Sequence, residues 1–104
     1  MSNFQFSKVD TIGRLLIPAK VRNPLGWNIG DKLYAIPSPD GKTVVLQAEQ
    51  NGSGMALAID DFGRITLPQA LRAEMQWQEG STLNLVCNEK ENRIALVFVA
   101  KQEG

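Results

Sequence analysis

The sequence contains no histidine and a single cysteine, Cys87. These absences exclude a Ser-His or Cys-His nucleophilic pair, an internal disulfide, and a zinc site, which would need several cysteines if histidine is missing. The phosphate-binding motifs G-x-x-x-x-G-K-[ST] and G-x-G-x-x-G are also missing. We therefore expect a protein that is not an enzyme and that has no catalytic residues, no cofactor and no metal site.

Long apolar runs and a leader-like beginning are lacking too. No stretch approaches the about 20 apolar residues that cross a bilayer. Residues 1–5 have neither the basic start nor the apolar stretch of a signal peptide. A chain of 104 residues with 43% hydrophobic and 21% charged residues has the composition of one soluble globular domain. We expect a cytoplasmic protein without a membrane partner.

An excess of basic residues is missing as well. The net charge of zero by itself argues against a polyanionic partner, because phosphate contacts need a basic surface. The charge is unevenly distributed, however. Residues 1–50 contain six Lys and Arg against four Asp and Glu, a net charge of +2, and residues 51–104 contain five against seven, a net charge of −2. A nucleic acid is therefore expected to bind mainly through the first half.

What the sequence does contain is an internal repeat. Displacing the sequence against itself by 50 positions, without a gap, aligns nine identical pairs within residues 4–48. They are Asp10/Asp60, Gly13/Gly63, Arg14/Arg64, Pro18/Pro68, Arg22/Arg72, Trp27/Trp77, Gly30/Gly80, Leu33/Leu83 and Leu46/Leu96. We assign repeat one to residues 4–48, a polar linker to 49–54 and repeat two to 55–100. A natural duplication and an engineered fusion are both compatible with this pattern.

Each repeat is predicted to have the order β-β-α-β-β. In repeat one the strands are residues 4–9, 14–17, 32–36 and 43–48, with turns at 10–13 and 37–42. Pro18 opens the helix, and Pro24 is expected to shorten or distort it, whereas the helix at 69–76 of repeat two has no such break. The last two strands of repeat two are expected at 82–87 and 93–100. One repeat is too small to be stable alone.

We therefore expect both repeats to form one mainly β domain with two short helices, folded as a closed or nearly closed barrel with internal pseudo-two-fold symmetry. Trp27 and Trp77 recur just after each helix and are interpreted as core residues rather than as a stacking platform for single-stranded nucleic acid. Cys87 is interpreted as an inert, small hydrophobic residue at the end of a strand.

The string S-K-V-D-T-I-G-R-L-L-I-P-A-K-V-R, from Ser7 to Arg22, resembles the pattern of the swapped-hairpin (AbrB/MazE/SpoVT-type) DNA-binding domain family. Residues 60–68 of repeat two are a more diverged match. The D-x-x-x-R string in each repeat is also similar to the MraZ regulators, whose longer helical insertions this chain lacks. The resemblance implies an AbrB-like swapped-hairpin barrel built from two tandem units, and a transcriptional regulator that binds double-stranded DNA.

The family presents basic side chains to DNA from the first strand, the loop–strand junction and the helix. In this sequence the matching residues are Lys8, Arg14 and Arg22 in repeat one and Arg64 and Arg72 in repeat two. Ala58 replaces the lysine in repeat two, which implies a poorer second half-site. Because only about five basic groups face DNA, we expect a homo-oligomer or bent DNA to support binding. A MazE-type tail that would wrap a toxin is missing from the sequence, so a toxin partner is not expected.

Two interpretations remain open for the arginines. Arg14 and Arg64 follow Asp10 and Asp60 by four residues, so an ion pair can fix each loop, the guanidinium can contact DNA, or one arginine can do both. The helix arginines of the two repeats can equally be solvated surface residues. The alternative function is a protein-interaction module on an AbrB-like barrel that has lost DNA binding, which the acidic second half favours.

Overall fold

The computed structural model describes residues 3–50, 52 and 54–101, so positions 51 and 53 of the predicted linker lie outside the described residues. Repeat one contains β1 (Asn3–Lys8), β2 (Arg14–Leu16), α1 (Ala19–Arg22), a 3-10 turn (Asn23–Leu25), β3 (Lys32–Pro37) and β4 (Thr43–Gln47). Repeat two contains β5 (Met55–Ala58), β6 (Arg64–Thr66), α2 (Gln69–Met75), β7 (Ser81–Asn88) and β8 (Arg93–Lys101). The predicted mainly β fold with two short helices is confirmed.

The two helices differ in length, as the position of Pro24 predicts. α1 has four residues and continues as the 3-10 turn that contains Pro24, because proline offers no N–H for an α-helical hydrogen bond. α2 has seven residues and is followed by Gln76, whose φ of 60° is left-handed, where repeat one has Gly26 with a φ of 71°. Among the described residues, neither helix has the length and apolar character that crossing a membrane requires.

The strands form two antiparallel sheets in which the repeats are interleaved. The larger sheet has the order β1-β7-β8-β4-β3-β5, and β2 and β6 form a two-stranded ribbon. The first strand of each repeat therefore pairs with the third strand of the other, β1 with β7 and β5 with β3. Among the described residues β1 and β5 are the edges of the larger sheet, so the strand pairing does not confirm a closed barrel.

The pairing obeys the two-fold symmetry that the repeat implies. Leu15 faces Ile65 in the ribbon, and Val45 faces Ala95 where β4 meets β8 in the larger sheet. Both pairs join residues that are 50 positions apart in the sequence. A pseudo-two-fold axis thus passes through the centre of the ribbon and between β4 and β8. The repeats pair with each other within one chain, a point that the sequence left open.

One apolar core is shared by both sheets and both helices. Leu15 and Ile65 of the ribbon and Leu46 and Leu96 of the central strands are fully buried in it. The ribbon and the larger sheet therefore lie on opposite sides of the same core. Because equivalent residues of both repeats fill it, neither repeat has a complete core without the other.

The tryptophans and the cysteine belong to this core. Trp27 and Trp77 are only 2% and 3% exposed, which confirms that they are core residues and not a stacking platform. Cys87 is buried as well, and burial, together with the charge of Glu89, raises the pKa of its thiol. A raised pKa keeps the thiol protonated and unreactive, as the sequence predicts.

Candidate nucleic-acid interface

The loop between β1 and β2 is held by the side chain of Asp10. Its Oδ1 accepts hydrogen bonds from the backbone N–H of Ile12 at 3.1 Å and of Arg14 at 2.7 Å. Its Oδ2 accepts a hydrogen bond from Nε of Arg14 at 2.6 Å, which completes an ion pair. The Arg14 side chain nevertheless stays 32% exposed. The ion-pair interpretation is thus confirmed, and the guanidinium still reaches solvent.

The loop between β5 and β6 repeats this geometry with Asp60. Its Oδ1 accepts the backbone N–H of Phe62 and of Arg64, both at 2.9 Å, and its Oδ2 lies 3.1 Å from Nε of Arg64. These hydrogen bonds lower the pKa of Asp60, and the bond from the backbone N–H of Arg64 contributes most. For Asp10 burial acts in the opposite direction, but the hydrogen bonds from Arg14 outweigh it and the pKa is again lowered. Both carboxylates are therefore charged at neutral pH.

The ribbon directs its two arginines to solvent on one face. Leu15 and Ile65 point into the core, so the residues on either side of each point outward. The register places Arg14 beside Thr66 and Arg64 beside Leu16, so the arginines lie diagonally across the two-fold axis. We call the outward surface of these four residues, Arg14, Leu16, Arg64 and Thr66, the ribbon face.

Lys8 extends one end of the ribbon face. The hydroxyl of Ser7 donates a hydrogen bond of 2.9 Å to the carbonyl of Leu16, so β1 runs alongside β2. Lys8, the next residue of β1, is exposed, and Leu16 is paired with Arg64 in the ribbon. The three neighbouring strands β1, β2 and β6 each contribute one residue to a row, which consists of Lys8, Leu16 and Arg64.

The symmetry-related row has a lysine that the sequence analysis missed. It consists of Ala58, Thr66 and Arg14, and it lacks a cation at the position of Lys8. Lys32 on β3 pairs directly with Ala58, and both are exposed. Paired residues of antiparallel strands point to the same face, so Lys32 supplies a cation one strand further out. Lys32 reaches this surface only because β3 pairs with β5 of the other repeat. No local sequence pattern could therefore have indicated its position.

The helix arginines bind the backbone of their own repeat. Nε of Arg22 donates to the carbonyl of Ile17 at 2.8 Å, and Nε of Arg72 donates to the carbonyl of Leu67 at 3.0 Å. Nη1 of Arg22 also lies 3.4 Å from the carbonyl of Trp27. Both side chains are half-buried rather than fully solvated. Each ties its helix to the short segment between the ribbon strand and the helix, and only part of each guanidinium faces solvent.

Each helix arginine also covers the loop of the other repeat. A Cβ atom on Gly13 would lie 2.6 Å from Cζ of Arg72, and one on Gly63 would lie 3.1 Å from Nη2 of Arg22. Both glycines have a positive φ, as the turn prediction requires. Glycine is therefore needed at these positions for its backbone conformation and also for the space that it leaves.

The strand exchange sorts the five predicted basic residues, together with Lys32, into two groups. We call the group with Lys8, Arg22 and Arg64 the Phe62 end, and the group with Lys32, Arg14 and Arg72 the Ile12 end. Each end takes residues from both repeats, whereas the sequence placed Lys8, Arg14 and Arg22 in one half-site. The ends are named after the residues at the tips of the two loops.

Both loop tips carry exposed apolar side chains that the sequence analysis did not consider. Ile12 and Phe62 occupy equivalent positions and are 58% and 74% exposed. Cζ of Arg64 lies 4.8 Å from the centroid of the Phe62 ring, in the range of a cation–π contact. Leu16 on the ribbon face and Phe6 on β1 are also exposed. The surface around the arginines is thus apolar as well as basic.

Two depressions of the surface are bounded by Trp77 rather than by the ribbon face. One of about 420 Å³ is bounded by Trp77, Lys42 and Phe98, and one of about 510 Å³ by Trp77, Gln76 and Arg72. In the part of the chain that the structure describes, no three acidic or cysteine side chains come together as metal ligands would. None of the four residues of the ribbon face lines either depression.

No protein-family model matches the chain, and no curated protein matches it. A solved structure is similar, the solution structure of PHS018 from Pyrococcus horikoshii. The two sequences are 18% identical, the TM-score is 0.56, and the match covers 96% of this chain and 95% of that one. At this level of identity the likeness concerns the fold alone.

Proposed function

We propose that this protein is a DNA-binding transcriptional regulator, built on an AbrB-like swapped-hairpin barrel, whose ribbon face lies against double-stranded DNA. The observation that carries the proposal is the placement of Arg14 and Arg64 on one exposed face, related by the pseudo-two-fold axis. A two-fold arrangement of cations suits the local two-fold symmetry of the duplex. The proposed role is cytoplasmic, non-enzymatic and independent of a cofactor.

The ion pairs leave each ribbon arginine able to contact phosphate. A guanidinium has five N–H donors, and the aspartate accepts only the one on Nε. Exposed ion pairs contribute at most about 1 kcal/mol, so sharing the guanidinium with a phosphate costs little. Together with Lys8 and Lys32 this gives four phosphate contacts, and the log-log salt slope is expected to be roughly −3 to −4 at about −0.9 per contact.

The test is fluorescence anisotropy with AT-rich and random-sequence duplexes, titrated from low to physiological salt. The double variant Arg14→Ala/Arg64→Ala is compared with Lys42→Ala/Lys90→Ala, which removes the same charge from two hairpin turns. We expect the first variant to lose at least about 10-fold in affinity and to have a salt slope shallower by about 2, with little change in the control. A folded Arg14→Ala/Arg64→Ala protein that binds as well as the parent contradicts the proposal.

The second candidate is a protein-interaction module on the same scaffold. The neutralisation of Arg14 and Arg64 by Asp10 and Asp60, next to exposed apolar tips, favours it. It predicts that the parent does not bind either duplex even at low salt. It also predicts that a stable protein partner co-purifies with the chain without retained DNA.

A further inference from the structure

We infer that Ile12 and Phe62 are wedges that insert between DNA base pairs at the two ends of the ribbon, so that the protein unstacks and bends its target. This inference rests on the proposed DNA-binding function and adds a mode of recognition to it. It concerns two exposed apolar side chains to which the proposed DNA-binding function gives no role.

The loop tips combine high exposure with a fixed backbone. Ile12 and Phe62 are the two most exposed large apolar side chains among the described residues. Each follows its aspartate by two residues and donates its own N–H to that carboxylate. The glycine after each tip is covered by an arginine of the other repeat. An exposed apolar side chain on a mobile loop needs no explanation, but two at symmetric, braced positions indicate contact with a partner.

The charges around the tips indicate which partner. Arg14 and Arg64 each follow a tip by two residues, and Arg64 already lies over the Phe62 ring. A wedge that enters a base step must be flanked by cations that hold the phosphates on either side. Architectural proteins that kink the minor groove combine arginine or lysine with an apolar wedge in this way. Duplex DNA offers both arginines regularly spaced phosphates on either side of such a step.

The limited charge of the ribbon face makes a second source of affinity necessary. With four phosphate contacts and two of the cations already paired, electrostatic attraction alone gives weak, non-specific binding. Insertion buries apolar surface that phosphate contacts cannot bury, and its contribution depends far less on salt than that of the phosphate contacts. It also yields sequence preference without hydrogen bonds to bases, because pyrimidine–purine steps such as TA unstack most easily.

The two ends are not equivalent. Phe62 is larger and more exposed than Ile12, and a flat ring can stack on a base as well as separate two bases. From the ribbon register the tips are at most six residues apart along the strands, which is about 20 Å at 3.3 Å per residue. This corresponds to at most about six base pairs at 3.4 Å each. We therefore expect stronger unstacking at one of two steps that are up to about six base pairs apart.

The experiment uses two duplexes of equal composition, one with two TA steps spaced by about six base pairs and one with those bases rearranged into a stiff A-tract. 2-Aminopurine in each TA step reports unstacking, and dyes at the ends report bending by energy transfer. The parent is compared with Ile12→Ser/Phe62→Ser and with Phe62→Leu. Phe98→Ser removes a comparable exposed apolar side chain from the larger sheet, across the core, and serves as the matched control.

We expect the parent to bend the TA duplex, to raise 2-aminopurine fluorescence and to bind that duplex at least about 5-fold more tightly than the A-tract duplex. Ile12→Ser/Phe62→Ser should bind both equally without bending, Phe62→Leu should keep part of the effect, and Phe98→Ser should behave as the parent. If the parent binds but neither bends nor unstacks, the wedge is overturned while the DNA-binding proposal stands. If the parent binds neither duplex, the DNA-binding proposal itself fails. If sedimentation shows that Ile12→Ser/Phe62→Ser breaks up an oligomer of the parent, the tips contact a second copy and the wedge is likewise overturned.

Discussion

Arg72 of the second repeat lies against Gly13 of the first, with its Cζ and Nε 2.6 Å from the position that a Cβ atom on the glycine would occupy. Arg22 and Gly63 have the same relation across the pseudo-two-fold axis, at 3.1 Å. The geometry of each loop thus depends on the helix of the other repeat. The surface that we propose to bind DNA is therefore complete only when both repeats are folded together.

Replacing Gly13 by alanine is expected to destabilise the fold. The backbone has a φ of +87°, which costs a non-glycine residue about 1–2 kcal/mol, and the new methyl group must also displace Arg72 from its hydrogen bond with Leu67. We expect a total loss of about 2–3 kcal/mol in the free energy of unfolding. Chemical denaturation measures it.

Gly41→Ala is the matched control for this variant. Gly41 has a φ of +71° but no atom within 4 Å of its would-be Cβ, so only the backbone cost applies. The difference between the two variants measures the contact with Arg72. Equal losses for Gly13→Ala and Gly41→Ala would show that the arginine does not brace the loop.

The stability of the two loops should depend on pH through Asp10 and Asp60. Their pKa values in the folded state are below the ordinary value of 3.8, because hydrogen bonds to each carboxylate favour its charged form. The stabilisation is therefore fully present above about pH 4 and is lost as the pH falls through the lowered pKa values. In Asp10→Asn/Asp60→Asn we expect a flatter dependence of the free energy of unfolding on pH below about pH 4. NMR titration of the Asp10 and Asp60 carboxyl groups measures their pKa values. Values at or above 3.8 would contradict this explanation.

Much of the local structure could be predicted from the sequence because it depends on neighbouring residues. The repeat identified two equivalent loops, Pro24 predicted the short first helix, and the recurrence of Trp27 and Trp77 after each helix indicated that they are core residues. The pairing partners of the strands could not be predicted, because β1 pairs with a strand more than 70 residues further along the chain. Contacts between residues so far apart along the chain leave no periodic signal in the sequence.

The candidate site was predicted only in part for the same reason. Arg14 and Arg64 stay partly exposed, at 32% and 27%, whereas the helix arginines bind backbone carbonyls and cover the glycines of the other repeat. Lys32 joins the Ile12 end only through its pairing with Ala58. A local motif can indicate which residues are basic, but the grouping of those residues follows from the strand exchange.

Gln76 offers a test of the backbone at the end of α2. Its φ of 60° is left-handed, whereas repeat one has Gly26 at the equivalent position. Glycine adopts this conformation without the steric cost of a side chain, although it loses more entropy on folding. We expect Gln76→Gly to raise the free energy of unfolding by about 0.5–1 kcal/mol in chemical denaturation. The reciprocal change, Gly26→Gln, should lower it, and a gain of stability there would contradict this explanation.

The assignment of Lys8 and Lys32 to the two different ends makes a prediction about DNA binding. Each is the lysine of one end of the ribbon, so Lys8→Ala and Lys32→Ala should weaken binding to a similar extent and each reduce the salt slope by about 1. The effect should be the same for all duplex sequences, because phosphate contacts carry no base information. Anisotropy titrations measure both quantities, with Lys42→Ala as the control. An effect of Lys8→Ala without one of Lys32→Ala would show that the two ends do not both contact the duplex.

The most direct test of the ribbon face as a DNA-binding surface is the titration of the ¹⁵N-labelled protein with a short duplex at low salt, followed by amide chemical shifts. We expect the largest changes at the ribbon, at the loop tips Ile12 and Phe62, and at Lys8 and Lys32, with small changes on β4 and β8 across the core. No changes, or changes confined to the larger sheet and the depressions around Trp77, would contradict the account.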